Sequence, residues 1–134
     1  MEEKTPYVDE KARLTGFTAF LGMEFPSVSD DKCIVSLPLR PEYLNPLGVA
    51  HGGVIATLTD VAAGTMALQA DHREHTILTQ SCHIHFLRPG TGDRLTAESH
   101  IIRKGHRVCV VQVDCFSGDG TLSATAIYEI SYLE

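Results

Sequence analysis

One long stretch of the chain is apolar without showing a single apolar stripe. It runs from Gly52 to Leu68, and on a helix its apolar residues point in several directions: Val54, Ile55, Leu58, Val61, Ala62, Met66 and Leu68. A helix with this pattern is buried on most of its sides. Asp60, Gly64 and several threonines interrupt the stretch, whereas a bilayer span needs about 20 apolar residues. The pattern therefore predicts a core helix over residues 52 to 69.

After His75 the pattern changes to the alternation that is typical of strands. Alternation in TILTQSCHIHFLRP predicts two faces, one with Leu78, Cys82, Ile84 and Phe86 and the other with Thr79, Ser81, His83 and His85. Three further strand-like segments follow, DRLTAESHIIRK, HRVCVVQVDCFS and TLSATAIYEISYL. The joints GTGD, KGH and SGDG have turn chemistry. We therefore predict an antiparallel meander over residues 76 to 132.

The sequence pattern in the first third of the chain is less regular and predicts fewer elements. Residues 8 to 21 carry an imperfect helical stripe that ends before Gly22, and residues 23 to 39 have an extended pattern. Neither a linker nor a repeat divides the sequence, so we predict one domain over residues 1 to 134. One apolar helix beside one antiparallel sheet favours an α+β fold in which a curved sheet wraps the helix. An exposed edge strand would pair with another copy, so we expect a dimer.

Charge and cysteine content narrow the function classes. The 134 residues include 11 Lys and Arg against 17 Asp and Glu, a net charge of -6, which disfavours nucleic acid as a partner. The start MEEKTPYVDEKARL has charges where a secretory signal needs an apolar core, so we expect a cytoplasmic protein, and we expect no membrane as a partner. No CxxC pair occurs among the cysteines, and we expect buried free thiols at Cys33, Cys82, Cys109 and Cys115.

Asp60 is the first candidate for chemistry. A carboxylate in an apolar helix costs stability unless it is paired, hydrated or neutralised. It either reaches solvent or caps a neighbouring backbone, or it acts as a general base or nucleophile. Residue type and position alone leave both interpretations open.

The helix entrance is the second candidate. His51, Gly52 and Gly53 precede the apolar run, and two glycines let the backbone approach a ligand closely. Unpaired N–H groups in a first helical turn suit an anion or a developing oxyanion. A simple turn into the helix would explain the same glycines, and Asn45 just upstream would by itself be a turn residue.

Helix geometry separates these two candidates. Gly52 and Asp60 are eight positions apart, so their backbones lie about 12 Å apart along a helix. One carbonyl group cannot easily contact both residues in one subunit. If both serve one reaction, Asp60 must come from a second copy that lies antiparallel to the first across a two-fold axis.

Three segments together resemble a known family. NPLGVAHGGVIATLTD, TILTQSCHIHFLRPGTGDRLTA and RKGHRVCVVQVDCFSGDGTLSATAIYEI are similar to segments of the hotdog-fold acyl-CoA thioesterases of the PaaI-like group. The resemblance extends from Leu14 to the C-terminus. The asparagine, the His-Gly-Gly motif and the aspartate eight places after its first glycine form a far more specific signal together than singly.

The resemblance implies an architecture, an activity and site residues. The architecture is a hotdog fold, with dimers that share a continuous sheet and often form tetramers as pairs of dimers. The activity is hydrolysis of an acyl- or aryl-CoA thioester to the free acid and CoA, without a cofactor. Asp60 matches the general base or nucleophile, and Gly52 matches the residue whose N–H polarises the thioester carbonyl. Asn45 and His51 match polar residues beside the scissile bond, and Thr79 matches a residue that orients the attacking water.

An acidic protein needs local positive charge to hold CoA. The phosphate candidates are Arg88 and the residues around the RKGHR turn, Arg103, Lys104, Gly105, His106 and Arg107, while Gly53 leaves room at the helix entrance. An ordinary solvated turn would also carry such charges. We expect Ile55, Leu58 and Thr59 to line part of the acyl pocket.

Three alternatives remain open. His83 and His85 share one strand face as two metal ligands would, but no third ligand stands at a telling spacing, so the sequence predicts no metal. A hydratase or dehydratase of the same fold would also place a base near a helix entrance. A non-catalytic module that binds acyl-CoA belongs to a different class, and release of free thiol distinguishes it from an enzyme.

Overall fold

The computed structural model describes residues 16–72 and 75–133. Helix α1 begins at Gly16, and the part of the predicted first helix that covers residues 8 to 15 lies outside the described residues. A short 3₁₀ turn, Pro41–Tyr43, precedes the long helix. The elements in chain order are α1 (Gly16–Leu21), β1 (Glu24–Val28), β2 (Cys33–Pro38), α2 (Gly52–Gln69), β3 (Thr76–Phe86), β4 (Arg94–Lys104), β5 (Val108–Phe116) and β6 (Leu122–Leu133).

The strands form one six-stranded antiparallel sheet in the order β1-β2-β4-β5-β6-β3. Helix α2 contacts all six strands, which means that the sheet curves around it. The predicted α+β architecture, an antiparallel sheet wrapped around one long helix, is confirmed. β1 and β3 are the two edge strands, so the outer edge of β3 is left without a neighbour in this sheet.

Packing explains why α2 can be apolar on most sides. Leu58, Ala62 and Met66 have no solvent-exposed area, and the alanines let the strands approach closely. Two tyrosines on β6 fix the helix through its backbone. Tyr128 Oη donates a hydrogen bond to the Ala56 carbonyl at 3.1 Å, and Tyr132 Oη donates to the Ala67 carbonyl at 2.7 Å. No helix among residues 16–72 and 75–133 has the length and hydropathy needed to cross a membrane.

A β-bulge in β3 changes which residues face the helix. Thr79 pairs with Ile130 and Ser81 pairs with Glu129, so Gln80 is an extra residue without its own partner position. Because of this extra residue, odd-numbered residues point to one face of the sheet before the bulge and to the other face after it. The sequence prediction that put Thr79 on the face of His83 and His85 was therefore wrong.

Before the bulge, Ile77 and Thr79 face α2, as shown by the short approach of Ile77 to Gly64 and by a hydrogen bond from Thr79 to the helix. After the bulge, residues 82, 84 and 86 face it. Leu78 points away from α2 and is 60% exposed, so its predicted place beside Cys82, Ile84 and Phe86 was wrong as well.

All four cysteines are free thiols, as predicted, and three of them are buried. Burial raises the pKa of Cys33 to about 11 and that of Cys115 to about 12, because the thiolate would lose its hydration. The pKa of Cys109 is raised for the same reason. Cys82 is exposed in this chain, which corrects the expectation that it is buried.

Thiol labelling tests this core. A raised pKa keeps the buried thiols protonated, and therefore unreactive, at pH 8. We expect a disulfide exchange reagent to modify no more than Cys82 in the native protein and all four cysteines after denaturation. A Cys82→Ser variant is the control and should show no fast labelling. Fast modification of two or more cysteines in the native wild type would contradict this core arrangement.

Candidate active site

The loop before α2 is closed by Asn45. Its side-chain Oδ1 accepts hydrogen bonds from the backbone N–H groups of Leu47, at 2.9 Å, and Val49, at 3.3 Å. Its own backbone N–H donates to the Val49 carbonyl at 2.8 Å. These bonds shape the turn that leads into the helix entrance. Asn45 therefore organises the entrance, and its side-chain NH₂ group is the part that remains to face a ligand.

His51 is the N-cap of α2. Its Nδ1 accepts a hydrogen bond from the Gly53 N–H at 2.8 Å, which places the proton of a neutral ring on Nε2. A Cβ atom on residue 53 would lie 3.1 Å from Nδ1, so glycine gives this cap its room. Because the cap uses the Gly53 N–H, that group is not directed at a ligand here.

The Gly52 N–H is the first of the helix. Within the described ranges no hydrogen bond from this group occurs, and the positive end of the helix dipole lies at the same place. Gly52 borders a cavity of about 390 Å³, called the Gly52 cavity below, together with Ala50, Ile55, Phe86, Leu87, Arg88, Pro89 and Gly90. A Cβ on residue 52 would contact the Phe86 ring at 3.6 Å. The entrance thus offers an unpaired donor at the wall of a cavity.

Asp60 lies in the middle of α2, on the side that faces β3. Its Oδ1 accepts a hydrogen bond from Thr79 Oγ1 at 2.6 Å. In the part of the chain that the structure describes, Oδ2 has no hydrogen-bond partner. Asp60 is half-buried, and one of its oxygens is held while the other can accept a proton from a bound molecule.

A second cavity of about 560 Å³, called the Asp60 cavity below, contains this carboxylate. α1 supplies Phe17 and Thr18, α2 supplies Thr57, Val61, Gly64, Thr65 and Leu68, and the rest come from His75 and residues 76 to 79. Phe17, Gly64 and His75 were not predicted as site residues from the sequence. Gly64 could have been, because a glycine inside a helix often marks close packing, and here a Cβ would lie 3.2 Å from Ile77 Cδ1.

Within one chain the structure keeps the two candidate groups apart. Gly52 lines the Gly52 cavity and Asp60 lines the Asp60 cavity, and neither residue lines both. Their positions are about 12 Å apart along α2. A site that uses both groups therefore needs a second chain.

The structure contradicts two of the three predicted acyl-pocket residues. Ile55 borders the Gly52 cavity, whereas Leu58 and Thr59 line neither cavity and are fully buried. Thr59 Oγ1 instead lies 2.7 Å from Tyr128 Oη in the core. Burial raises the pKa of Tyr128, so its hydroxyl stays neutral and fixes the helix segment just before Asp60. The alternation of β6 could have predicted that Tyr128 faces the core, but not that Thr59 is its partner.

The basic residues lie at two ends of the sheet. Arg88 follows the end of β3 and borders the Gly52 cavity. The turn that contains Gly105 joins β4 to β5, where the Gly105 N–H donates to the Val108 carbonyl and Lys104 Nζ lies 4.8 Å from the Tyr132 ring centroid. Tyr132 pairs with Ile77 near the start of β3. Because a strand as long as β4 spans about 35 Å, one chain does not gather these residues into one cluster.

An antiparallel sheet that encloses one long helix, with polar groups at the helix entrance and at its middle, defines a hotdog domain. The chain belongs to the thioesterase superfamily, whose family model matches residues 47–124. The medium/long-chain acyl-CoA thioesterase YigI of Escherichia coli is 28% identical over 131 residues, covering 85% of this chain and 84% of YigI.

Two solved structures show the same fold. Thioesterase HI1161 of Haemophilus influenzae superposes with a TM-score of 0.89 and 20% identity, covering 99% of this chain and 93% of its own. The PaaI protein from the phenylacetic acid degradation operon of Escherichia coli has a TM-score of 0.80 and 23% identity, with 87% and 83% coverage. The resemblance to the PaaI-like hotdog thioesterases is therefore confirmed at the level of family and fold.

The hydrogen bond from Thr79 to Asp60 can be tested by substitution. Thr79→Val keeps the shape and strand preference but removes the donor, and a hydrogen bond to a charged group contributes enough to change kcat by about 10-fold. We expect kcat for thioester hydrolysis to fall by that factor with little change in KM, and Thr79→Ser to restore it. Thr76→Val, in the same cavity but without a bond to Asp60, is the matched control. Equal kcat values for Thr79→Val and Thr76→Val would contradict the assignment.

Proposed function

We propose that this protein is an acyl-CoA thioesterase, with the whole chain as one domain, that hydrolyses an acyl- or aryl-CoA thioester to the free acid and CoA. Membership of the thioesterase superfamily supports hydrolysis of a thioester. The similarity to a relative named as an acyl-CoA thioesterase supports CoA as the carrier. The observation that carries the proposal is Asp60, which Thr79 holds on one oxygen and which lines the Asp60 cavity.

In the proposed reaction, the two catalytic groups come from two different chains. The Gly52 N–H of one subunit donates a hydrogen bond to the thioester carbonyl oxygen and stabilises the negative charge that develops there. Asp60 of the partner subunit accepts a proton from water while the water oxygen bonds to the carbonyl carbon. The carbon–sulfur bond then breaks, and the proton that Asp60 accepted passes to the CoA sulfur as it leaves. Direct attack by the Asp60 carboxylate remains the alternative first step.

The open edge of β3 supports the dimer that this reaction needs. Thr79, which is bonded to Asp60, and Phe86, which lies beside Gly52, are seven positions apart on this strand. If two β3 strands pair antiparallel across a two-fold axis, the Thr79 end of one meets the Phe86 end of the other. This pairing would bring Asp60 and Gly52 of different chains together, and it would complete the hydrogen bonding of an unpaired edge. Further pairing of such dimers into a tetramer is part of the proposal.

The same antiparallel arrangement supports the assignment of CoA contacts. Arg88 borders the Gly52 cavity, and the turn of residues 103 to 107 lies at the opposite end of its own sheet. Reversal of the partner brings that partner's turn towards the Gly52 cavity. Phosphate groups of CoA would then lie between Arg88 of one chain and Arg103, Lys104 and Arg107 of the partner subunit.

Water is the only co-reactant of this scheme, so we propose that no cofactor takes part. Activity should persist after dialysis against a chelator, at protein concentrations where the chain is dimeric. The three buried free thiols fit a reducing compartment, and on that basis we propose a cytoplasmic location.

Asp60→Asn tests the carboxylate directly. The amide keeps the size of the side chain but cannot accept the proton of water, so we expect kcat to fall by at least about 100-fold. Release of free thiol from a panel of aliphatic and aromatic acyl-CoA thioesters is the measurement, and thermal denaturation verifies the fold. If the wild type binds these thioesters without releasing thiol, the protein is a binding module. If Asp60→Asn releases thiol at the wild-type rate, Asp60 has no such role.

Mixed dimers test whether the site is shared. Gly52→Val places a branched side chain at the wall of the Gly52 cavity, and Asp60→Asn removes the carboxylate, so each variant alone should be inactive. A dimer with one chain of each kind retains one intact pair of groups. We expect mixing after partial denaturation and refolding to restore up to about one quarter of the wild-type activity, from one of two sites in half of the dimers. Absence of any recovery, despite verified exchange of chains, would contradict the shared site.

A further inference from the structure

Two histidines stand on the outer face of the edge strand, away from both cavities. His83 and His85 are exposed, and their rings are stacked with centroids 4.6 Å apart and planes inclined by 30°. With Thr125, Ala126 and Ile127 they border a shallow depression of about 140 Å³ on the face of the sheet opposite α2. The proposed mechanism uses neither imidazole.

The two imidazoles on this strand are two of the four ligands that a tetrahedral metal site needs. A structural Zn²⁺ site is closed by four ligands in tetrahedral arrangement. Among residues 16–72 and 75–133 of a single chain, no group of three His, Cys, Asp or Glu residues could hold a metal ion. The missing ligands must therefore come from another chain if the site exists.

The proposed dimer supplies them, and this inference rests on that dimer. Contact between Thr79 of one β3 and Phe86 of the partner's β3 requires the two-fold axis to pass close to residues 82 to 84. Directly opposite residues in an antiparallel pair have side chains on the same face, whereas successive residues of one strand point to opposite faces. The two-fold axis must therefore lie at one residue, which is then opposite its own copy in the partner subunit, and not between two successive residues. Only three registers, centred on Cys82, His83 or Ile84, satisfy both conditions.

Each register brings the histidines of the two chains together. With the axis at His83, the two copies of His83 are directly opposite, with Cβ atoms about 5 Å apart. With the axis at Ile84, His83 lies opposite His85 of the partner subunit. With the axis at Cys82, the two copies of His83 are diagonal neighbours, still within reach of long side chains. The register centred on Ile84 places all four imidazoles closest together, and in the other two registers the two copies of His83 still lie within reach of each other.

We propose that His83 and His85 of two chains form a site for one divalent transition-metal ion of the Zn²⁺ class at the seam of the dimer. Neutral imidazole nitrogen suits ions of this class. Glu129 on β6 is exposed on the same face and pairs with Ser81, so a carboxylate next to the cluster favours a cation. The ion lies on the far side of the sheet from Asp60 and stabilises the dimer, because it binds only where two chains meet.

Titration with Zn²⁺ tests this site. The chelator-treated full-length protein should bind about one Zn²⁺ ion per two chains in isothermal titration calorimetry. A His83→Gln/His85→Gln double variant should lose this binding event by at least about 10-fold in affinity. His100→Gln is the matched control, because His100 is also exposed but lies on β4, three strand positions from β3. Sedimentation should show that Zn²⁺ lowers the dimer dissociation constant of wild type and His100→Gln only.

The outcomes separate this inference from the proposed function. Binding of one Zn²⁺ ion per chain, binding that survives in the double variant, or no binding by a dimeric wild type would overturn the metal site. A monomeric wild type would overturn it too. Thiol release from acyl-CoA, measured on the same samples, remains the readout of the proposed function and should be equal in the double variant and in His100→Gln at concentrations where both are dimers.

Discussion

The hydrogen bond from Thr79 to Asp60 connects the open edge of the sheet to the central helix, and the arrangement of the site depends on it. A carboxylate in the middle of an apolar helix is tolerated because it faces the one side of α2 where the sheet ends. Thr79 can reach it because the bulge at Gln80 turns residue 79 towards the helix. The same short segment of β3 thus sets the direction of Asp60 and leaves an edge on which a second chain can pair.

The remaining features of α2 fit this constraint. Alanines and threonines on its buried sides let the strands approach closely, and tyrosine hydroxyls from β6 hold backbone carbonyls before and after Asp60. The helix is therefore a rigid axis with a donor at its start and an acceptor at its middle. Helix geometry sets the distance between these two groups. One thioester carbonyl can therefore contact both groups only if they come from two different chains. The proposed dimer is the simplest arrangement that satisfies this distance.

Much of the fold could be predicted from the sequence because its signals are local. Apolar residues all around one helix, alternation in the strands and short turn motifs are sufficient for an α+β sheet around a helix, and the motif from Asn45 to Asp60 is sufficient for the family. The face of Thr79 could not be predicted, because a bulge depends on the register with β6 and not on the strand itself. Leu58 and Thr59 were placed in the pocket because their partners in the core, such as Tyr128, are distant in sequence. The separation of Arg88 from the basic turn likewise depends on topology.

The most direct test of the central claim is a crystal structure of the protein with a non-hydrolysable acyl-CoA analogue in which a ketone replaces the thioester. The account predicts the ketone oxygen about 3 Å from the Gly52 nitrogen of one chain, and an Asp60 oxygen of the partner subunit within about 3.5 Å of the carbonyl carbon or of a water poised beside it. A ketone contacted by Gly52 and Asp60 of the same chain, or one whose cavity contains no Asp60 from either chain, would contradict it.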